Sequence, residues 1–235
     1  MKLDILAFGA HPDDVELSCS GTILKNIASG KKIGIIDLTR GELGTRGTVS
    51  IRKKEAASAA KILGVSFREN LDMEDGFFQH DKKNLLKVIR KIREHQPDAV
   101  LANALEDRHP DHGRAAKLIA EACFLSGLVK IETKLNGKKQ KAWRPKAVYH
   151  YIQYRKLKAD IAIDITPFIE RKLESIKAFS SQFYNPDSNE PATLISNRDF
   201  LEYIVKREKE YGNTIQVEYA EGFNVAEEYS GIILI

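Results

Sequence analysis

A chain of 235 residues, 43% hydrophobic and 30% charged, has the make-up of a globular protein with enough length for a substantial core in one domain, 1–235. Net charge is +4, and the basic runs Lys134 to Lys141 and Lys206-Arg207 carry no interleaved aromatics and no nucleic-acid motif, so they read as solvated faces and exclude a nucleic-acid binder. No apolar stretch approaches the ~18–20 residues of a membrane span. The start, Met1-Lys2-Leu3-Asp4-Ile5, lacks the pattern of a secretory signal, which predicts a cytoplasmic protein with no membrane partner.

In chain order, Leu3–Phe8 is apolar except for Asp4 and predicts a strand buried on both faces. Glu16 to Ser29 predicts a helix ended by Gly30. Lys32–Leu38 is a second strand. Ser50 is placed to cap a helix running to about Leu63, where Gly64 stops it. A short strand follows near Val65–Arg68. Lys82 to His95 is a helix barred from continuing by Pro97. Asp98–Ala102 is a strand, and Asp111 to about Ser126 a helix. This βαβα order predicts a Rossmann-like, mostly parallel α/β sheet with helices on both faces.

The second half is less regular and reads as an irregular C-terminal extension. Ala147–Tyr151 and Ile161–Asp164 look like strands. Thr166 is placed to cap a helix with Pro167 at its first position. Arg198 to Glu210 is another helix, and Val217–Val225 is a strand or a loop over the site. Tyr151, Tyr184 and Arg144 are assigned to packing, with a place in the cleft as the alternative. The two cysteines, Cys19 and Cys123, offer no disulfide framework and no C-x-x-C spacing, and read as packing residues.

Two clusters carry chemistry. Ala10-His11-Pro12-Asp13-Asp14-Val15-Glu16 follows the first strand, and Arg108-His109-Pro110-Asp111-His112 follows the strand ending at Ala102. In open α/β sheets, ligands bind at the carboxyl ends of strands. Histidine and carboxylate donors suit a catalytic zinc, which keeps three protein ligands and one open position. Two histidines and a carboxylate suit ferrous iron as well. Asp13 and Asp14 need not point the same way, so one can bind metal while the other serves as a base; both also suit a helix N-terminus. Asp111 can cap the following helix or orient a histidine. The loop Thr39 to Gly47 holds three glycines but matches neither a P-loop nor G-x-G-x-x-G. Arg52 lies just beyond it.

Together, Ala10-His11-Pro12-Asp13-Asp14-Val15-Glu16, Gly41-Glu42-Leu43-Gly44-Thr45 and His109-Pro110-Asp111-His112 resemble the PIG-L / LmbE family of metal-dependent N-acetylglucosaminyl deacetylases. The wording Glu42-Leu43-Gly44-Thr45-Arg46-Gly47 and the length resemble most the subgroup that deacetylates N-acetylglucosaminyl malate in bacillithiol biosynthesis. The resemblance implies His11, Asp14 and His112 as zinc ligands and Asp13 as general base. It implies His109 as the partner of the tetrahedral oxyanion, and Asp111 as the residue that orients a histidine, foremost His109. It implies Arg52 and Arg108 at the sugar or an anionic aglycone. It also implies a small N-acetylated sugar as substrate and a homo-oligomer, a hexamer by analogy. The competing readings are a metal-dependent esterase or phosphatase, for which few bridging carboxylates are evident in the sequence, and a non-catalytic sugar-binding protein.

Overall fold

The computed structural model describes residues 1–186 and 188–226. Apolar residues at alternate positions of the first two strands face opposite ways, and both faces are covered. Strand β1, Ile5–Gly9, is buried along its whole length, as is β2, Ile33–Thr39. Leu6, Phe8, Ile36 and Leu38 belong to one core cluster; Ile5, Ala7, Ile33 and Ile35 belong to another. That split is the period-2 signature of a strand sandwiched between helices. Helix α1, Asp14–Ala28, covers the second cluster. Helices α3, Lys82–His95, and α4, Pro110–Ser126, cover the first. Each fully buried Leu or Ile contributes about 1.5–3 kcal/mol.

Strands β3, Phe67–Met73, and β4, Ala99–Ala102, complete the parallel half. Helix α2, Val49–Leu63, links β2 to β3. Further on come a two-residue-stranded hairpin (β5, Lys134–Leu135; β6, Lys138–Lys139), then β7, Ala147–Tyr151, and β8, Ile161–Asp164. Helices α5, Ile169–Lys177, and α6, Phe200–Thr214, precede the last strand, β9, Ala220–Val225. The seven-stranded sheet has the order β3-β2-β1-β4-β7-β9-β8. All neighbouring pairs from β3 through β7 are parallel, and β9 runs antiparallel to both of its neighbours. The order reverses at β1, with β2 on one side and β4 on the other. Loops leaving the carboxyl ends of β1 and β4 therefore diverge and open a crevice between them.

The Rossmann-like expectation holds, with several local corrections. Thr48, not Ser50, caps α2, its side chain accepting from the Ile51 N–H at 3.2 Å. Asp111 does not cap α4; the imidazole of His109 does. Thr166 caps no α-helix. Pro167 sits in a 3-10 turn, Thr166–Phe168, and the Thr166 hydroxyl accepts from Tyr219 N–H at 3.1 Å. β3 runs five residues past the expected Arg68, because this polar edge strand carries no hydrophobic alternation. β9 is a strand inside the sheet, which settles the alternative of a loop over the site. Among the described residues no helix is long and apolar enough to cross a membrane.

Candidate metal centre and its cavity

Gly9 ends β1 where the chain turns tightly; a Cβ there would lie 2.9 Å from the His11 carbonyl. The turn carries Asp13 at φ 119°, a left-handed backbone that non-glycine residues seldom adopt. Such strain persists only where surrounding contacts fix it. Here it separates two adjacent carboxylates. Asp14 turns to the histidines: its Oδ1 lies 3.1 Å from His112 Nε2, and its Oδ2 lies 3.6 Å from His11 Nδ1. Asp13 turns to Arg52, which donates to it at 3.0 Å.

Both histidine rings are held from behind by carboxylates. His112 Nδ1 donates to Asp107 at 2.6 Å, and His11 Nε2 donates to Asp75 at 3.0 Å. A carboxylate on the far nitrogen fixes ring orientation and tautomer, as in carboxylate–histidine–metal arrangements. Asp14 is itself held by Asn103 Nδ2 at 3.0 Å and Gln153 Nε2 at 3.1 Å. His109 lies edge-on to His11, with ring centroids 4.6 Å apart. Its Nδ1 accepts from the Asp111 N–H at 3.3 Å, so a neutral ring carries its proton on Nε2.

The Asp111 carboxylate faces a histidine, as expected, but the histidine is His11 rather than His109. The carboxylate accepts from Gly76 N–H at 2.8 Å, pairs with Arg114, and lies 3.5 Å from His11 Nε2. Only the backbone of Asp111 reaches His109. Arg52 is buried and donates to Asp13, Pro12 and Gly41, while its Nε has no partner among the described residues. Arg108 is exposed, over the Tyr154 ring at 5.6 Å. Tyr151 is buried and donates to the Phe8 carbonyl, and Arg144 stacks on Phe124, so neither lines the cleft. Tyr184 is about half exposed and lies outside the lining as well, so the cleft alternative fails and its packing is only partial.

The sequence reading missed Asp75, Asp107, Asn103 and Gln153. Asp107 had a legible signal, an acidic residue in the loop after the strand ending at Ala102 and shortly before the second cluster; Asp75 had none, because the end of β3 was not legible. Asn103 and Gln153 had none, because a buried amide looks like any loop residue. Asp75 and Asp111 also revise the impression that few carboxylates surround the site.

The site opens into a cavity of about 340 Å³. Its polar end carries the histidines and aspartates. Its other wall is apolar, with Leu17, Ile195, Phe200, Tyr203 and Ile204. Burial lifts the Asp13 carboxyl to about 7, against the pull of Arg52. Burial acts the same way on Asp14, but the positive His112 and hydrogen bonds from both histidines overcome it and hold that carboxyl well below the usual range. Burial opposes charge on His112, yet Asp14 and Asp107 raise it to about 9. Burial and its histidine neighbours lower His109.

These donors fit a divalent cation. Ligand atoms of His11, His109 and His112 lie within 4.8 Å of one another, and so do those of His11, Asp75 and Asp111. Asp14 joins the first group by its contacts with two of the histidines. In the second, Asp75 and Asp111 are already engaged by the N–H groups of Leu43 and Gly76 and by Arg114. The group of His11, His109 and His112, with Asp14 between two of its rings, is therefore the less encumbered of the two. Fold and donor set define an α/β protein able to hold a divalent cation at the reversal point of its sheet.

The chain belongs to the PIG-L family: residues 6–123 match the family model described as GlcNAc-PI de-N-acetylase. It is 29% identical over 189 residues to the diacetylchitobiose deacetylase of Thermococcus kodakarensis, covering 76% of this chain and 70% of that one. It is 26% identical to a probable N-acetyl-alpha-D-glucosaminyl L-malate deacetylase 2 of Bacillus anthracis, covering 92% and 91%. The crystal structure of a conserved protein from Thermus thermophilus superposes with a TM-score of 0.86 at 33% identity, covering 99% and 98%.

Proposed function

We infer that this protein is a metal-dependent N-deacetylase that removes acetate from an N-acetylglucosaminide. The observation that carries this reading is the division between Asp13 and Asp14. One carboxylate is held low between two histidines, as a ligand must be. Its neighbour is turned away from them and lifted to about 7, where a general base works best. The cation, zinc in our reading with ferrous iron as the alternative, would be held by His11, Asp14 and His112 and would supply Lewis acidity to the acetamide carbonyl and the attacking water. Asp13 takes the proton of that water and later passes it to the departing amine. His109 donates from Nε2 to the oxygen on which negative charge develops. Arg52 holds the Asp13 carboxylate in place and lines the cavity that would take the sugar. Arg108 forms no ion pair among the described residues and stands at the mouth for an anionic aglycone.

The malate conjugate is the substrate we favour, supported by that exposed cation and by the similarity to the Bacillus anthracis protein along 92% of the chain. A cytoplasmic homo-oligomer, by analogy a hexamer, completes the proposal; light scattering tests the assembly. The carboxylates at His11 favour one second reading, a two-cation phosphoesterase.

The test is acetate release from N-acetylglucosaminyl malate and from free N-acetylglucosamine, on chelator-stripped protein with and without zinc. Zinc-dependent release that prefers the conjugate supports the whole reading. Release from the free sugar alone keeps the deacetylase and discards malate. Release of phosphate from a sugar phosphate, with no acetate from either amide, replaces the reading with the second one.

A further inference from the structure

Helix α1 is broken. Cys19 sits at φ −142°, ψ 15°, inside an otherwise helical run. The break divides the turn that bears Asp14 from the rest of the helix and leaves N–H groups beyond it without helical acceptors. The Glu221 carboxylate, fully buried on β9, accepts from Gly21 N–H at 2.8 Å and from Thr22 N–H at 2.7 Å. Lys172 of α5, also fully buried, donates to Glu221 at 2.6 Å and to the Leu17 carbonyl at 3.2 Å, and pairs with Glu208 at 3.1 Å. Arg207 of α6 donates to that same Leu17 carbonyl, to Glu208 at 2.7 Å, and to the Gln153 carbonyl at 2.7 Å.

Two buried cations thus grip the last carbonyl of the first turn, and a buried anion caps the segment beyond the break. Leu17 N–H in turn donates to the Asp13 carbonyl at 2.9 Å. A second path runs from Arg207 through Gln153 to Asp14 Oδ1. Buried ion clusters cost desolvation and are weak stabilisers compared with apolar packing. Four charges gathered on one broken turn, all from a segment beyond the residues matched by the family model, call for another role.

The geometry points to Lys172, Arg207, Glu208 and Glu221 as positioning residues that set the first turn of α1, and with it the pose of Asp13 and Asp14. This rests on the ligand assignment of the proposed function. Outer partners of a metal site typically alter affinity or activity by about 10–100-fold.

The test compares Glu221→Gln with the paired variant Lys172→Met/Glu221→Gln, which leaves no lone charge at that contact, and with Arg207→Lys. Circular dichroism defines the folded state. Zinc affinity is read by competition with a chromophoric chelator, and kcat and KM are read separately. We expect folded variants to bind zinc about tenfold more weakly and to lose kcat with KM nearly unchanged, and Arg207→Lys to lose less than the others. Parental zinc affinity and kcat in the folded variants would overturn the proposal. So would loss of fold in all three, which would make the cluster a support of the whole domain. Parental protein that neither binds zinc nor turns over would instead sink the proposed function.

Discussion

Asp13 holds a left-handed backbone conformation and gains from it a carboxylate turned away from the histidines around Asp14. Removing its charge leaves the proposed ligands His11, Asp14 and His112 untouched. Asp13→Asn is expected to keep zinc, measured by metal analysis, and to lose about 10²–10⁴ in kcat; unchanged turnover would remove Asp13 as base. The sign of the pH dependence follows from its raised carboxyl. The basic form prevails above about 7, so kcat/KM rises with pH on the acid side, and a bound cation moves that limb lower by favouring the carboxylate. A profile flat through neutrality would contradict it. Zinc uptake is expected to rise with pH as well. Both histidines proposed as ligands are raised, His112 to about 9, and would have to lose a proton to bind metal. Titration of zinc affinity at several pH values checks this.

Short loops between regular elements bring the chemistry together. Gly41, at φ 65°, leaves room for Arg52; a Cβ there would lie 1.9 Å from Arg52 Nη1. Gly41→Ala is therefore expected to push Arg52 off Asp13 and to reduce kcat more than it reduces the melting temperature. Thr48→Ala, which removes the α2 cap, is expected to cost about 1 kcal/mol and to lower the melting temperature by about 2–4 °C, with activity retained. Elements with strong periodicity or stop signals were legible in the sequence: β1, β2, β7, β8, and α3 with its halt before Pro97. β3 was legible only at its start, because an edge strand written Phe67-Arg68-Glu69-Asn70-Leu71-Asp72-Met73 buries little and shows no alternation. The β5–β6 hairpin was overlooked inside its lysines, although Asn136-Gly137, both at positive φ, is a strong turn signal. Caps slipped by a residue or two, since several Ser, Thr and Asp residues compete at each helix start.

At the scale of the whole molecule, the two clusters that begin at His11 and Arg108 meet because the sheet order reverses between their strands. Clusters of this kind are visible in sequence, and so is the parallel sheet that carries them, whereas its strand order is not. The buried amides and charges beneath are not, since their role depends on partners up to 200 residues away, as Glu221 is from Gly21. A cation bound only by the folded site raises stability by about 2.7 kcal/mol at a hundred times its Kd. Zinc is expected to raise the melting temperature accordingly and a chelator to reverse the rise; scanning calorimetry would expose any failure. Asp107 spans two parts of the site. One oxygen holds His112 at 2.6 Å, while the other accepts the N–H groups of Tyr154 at 3.0 Å and Arg155 at 2.7 Å. Tyr154 lines the cavity. In the proposed function a single carboxylate would thus join the metal's cradle to the cavity wall at Tyr154, and thermodynamic reciprocity would govern the two. Whatever factor the cation adds to sugar affinity, the sugar must return to the cation.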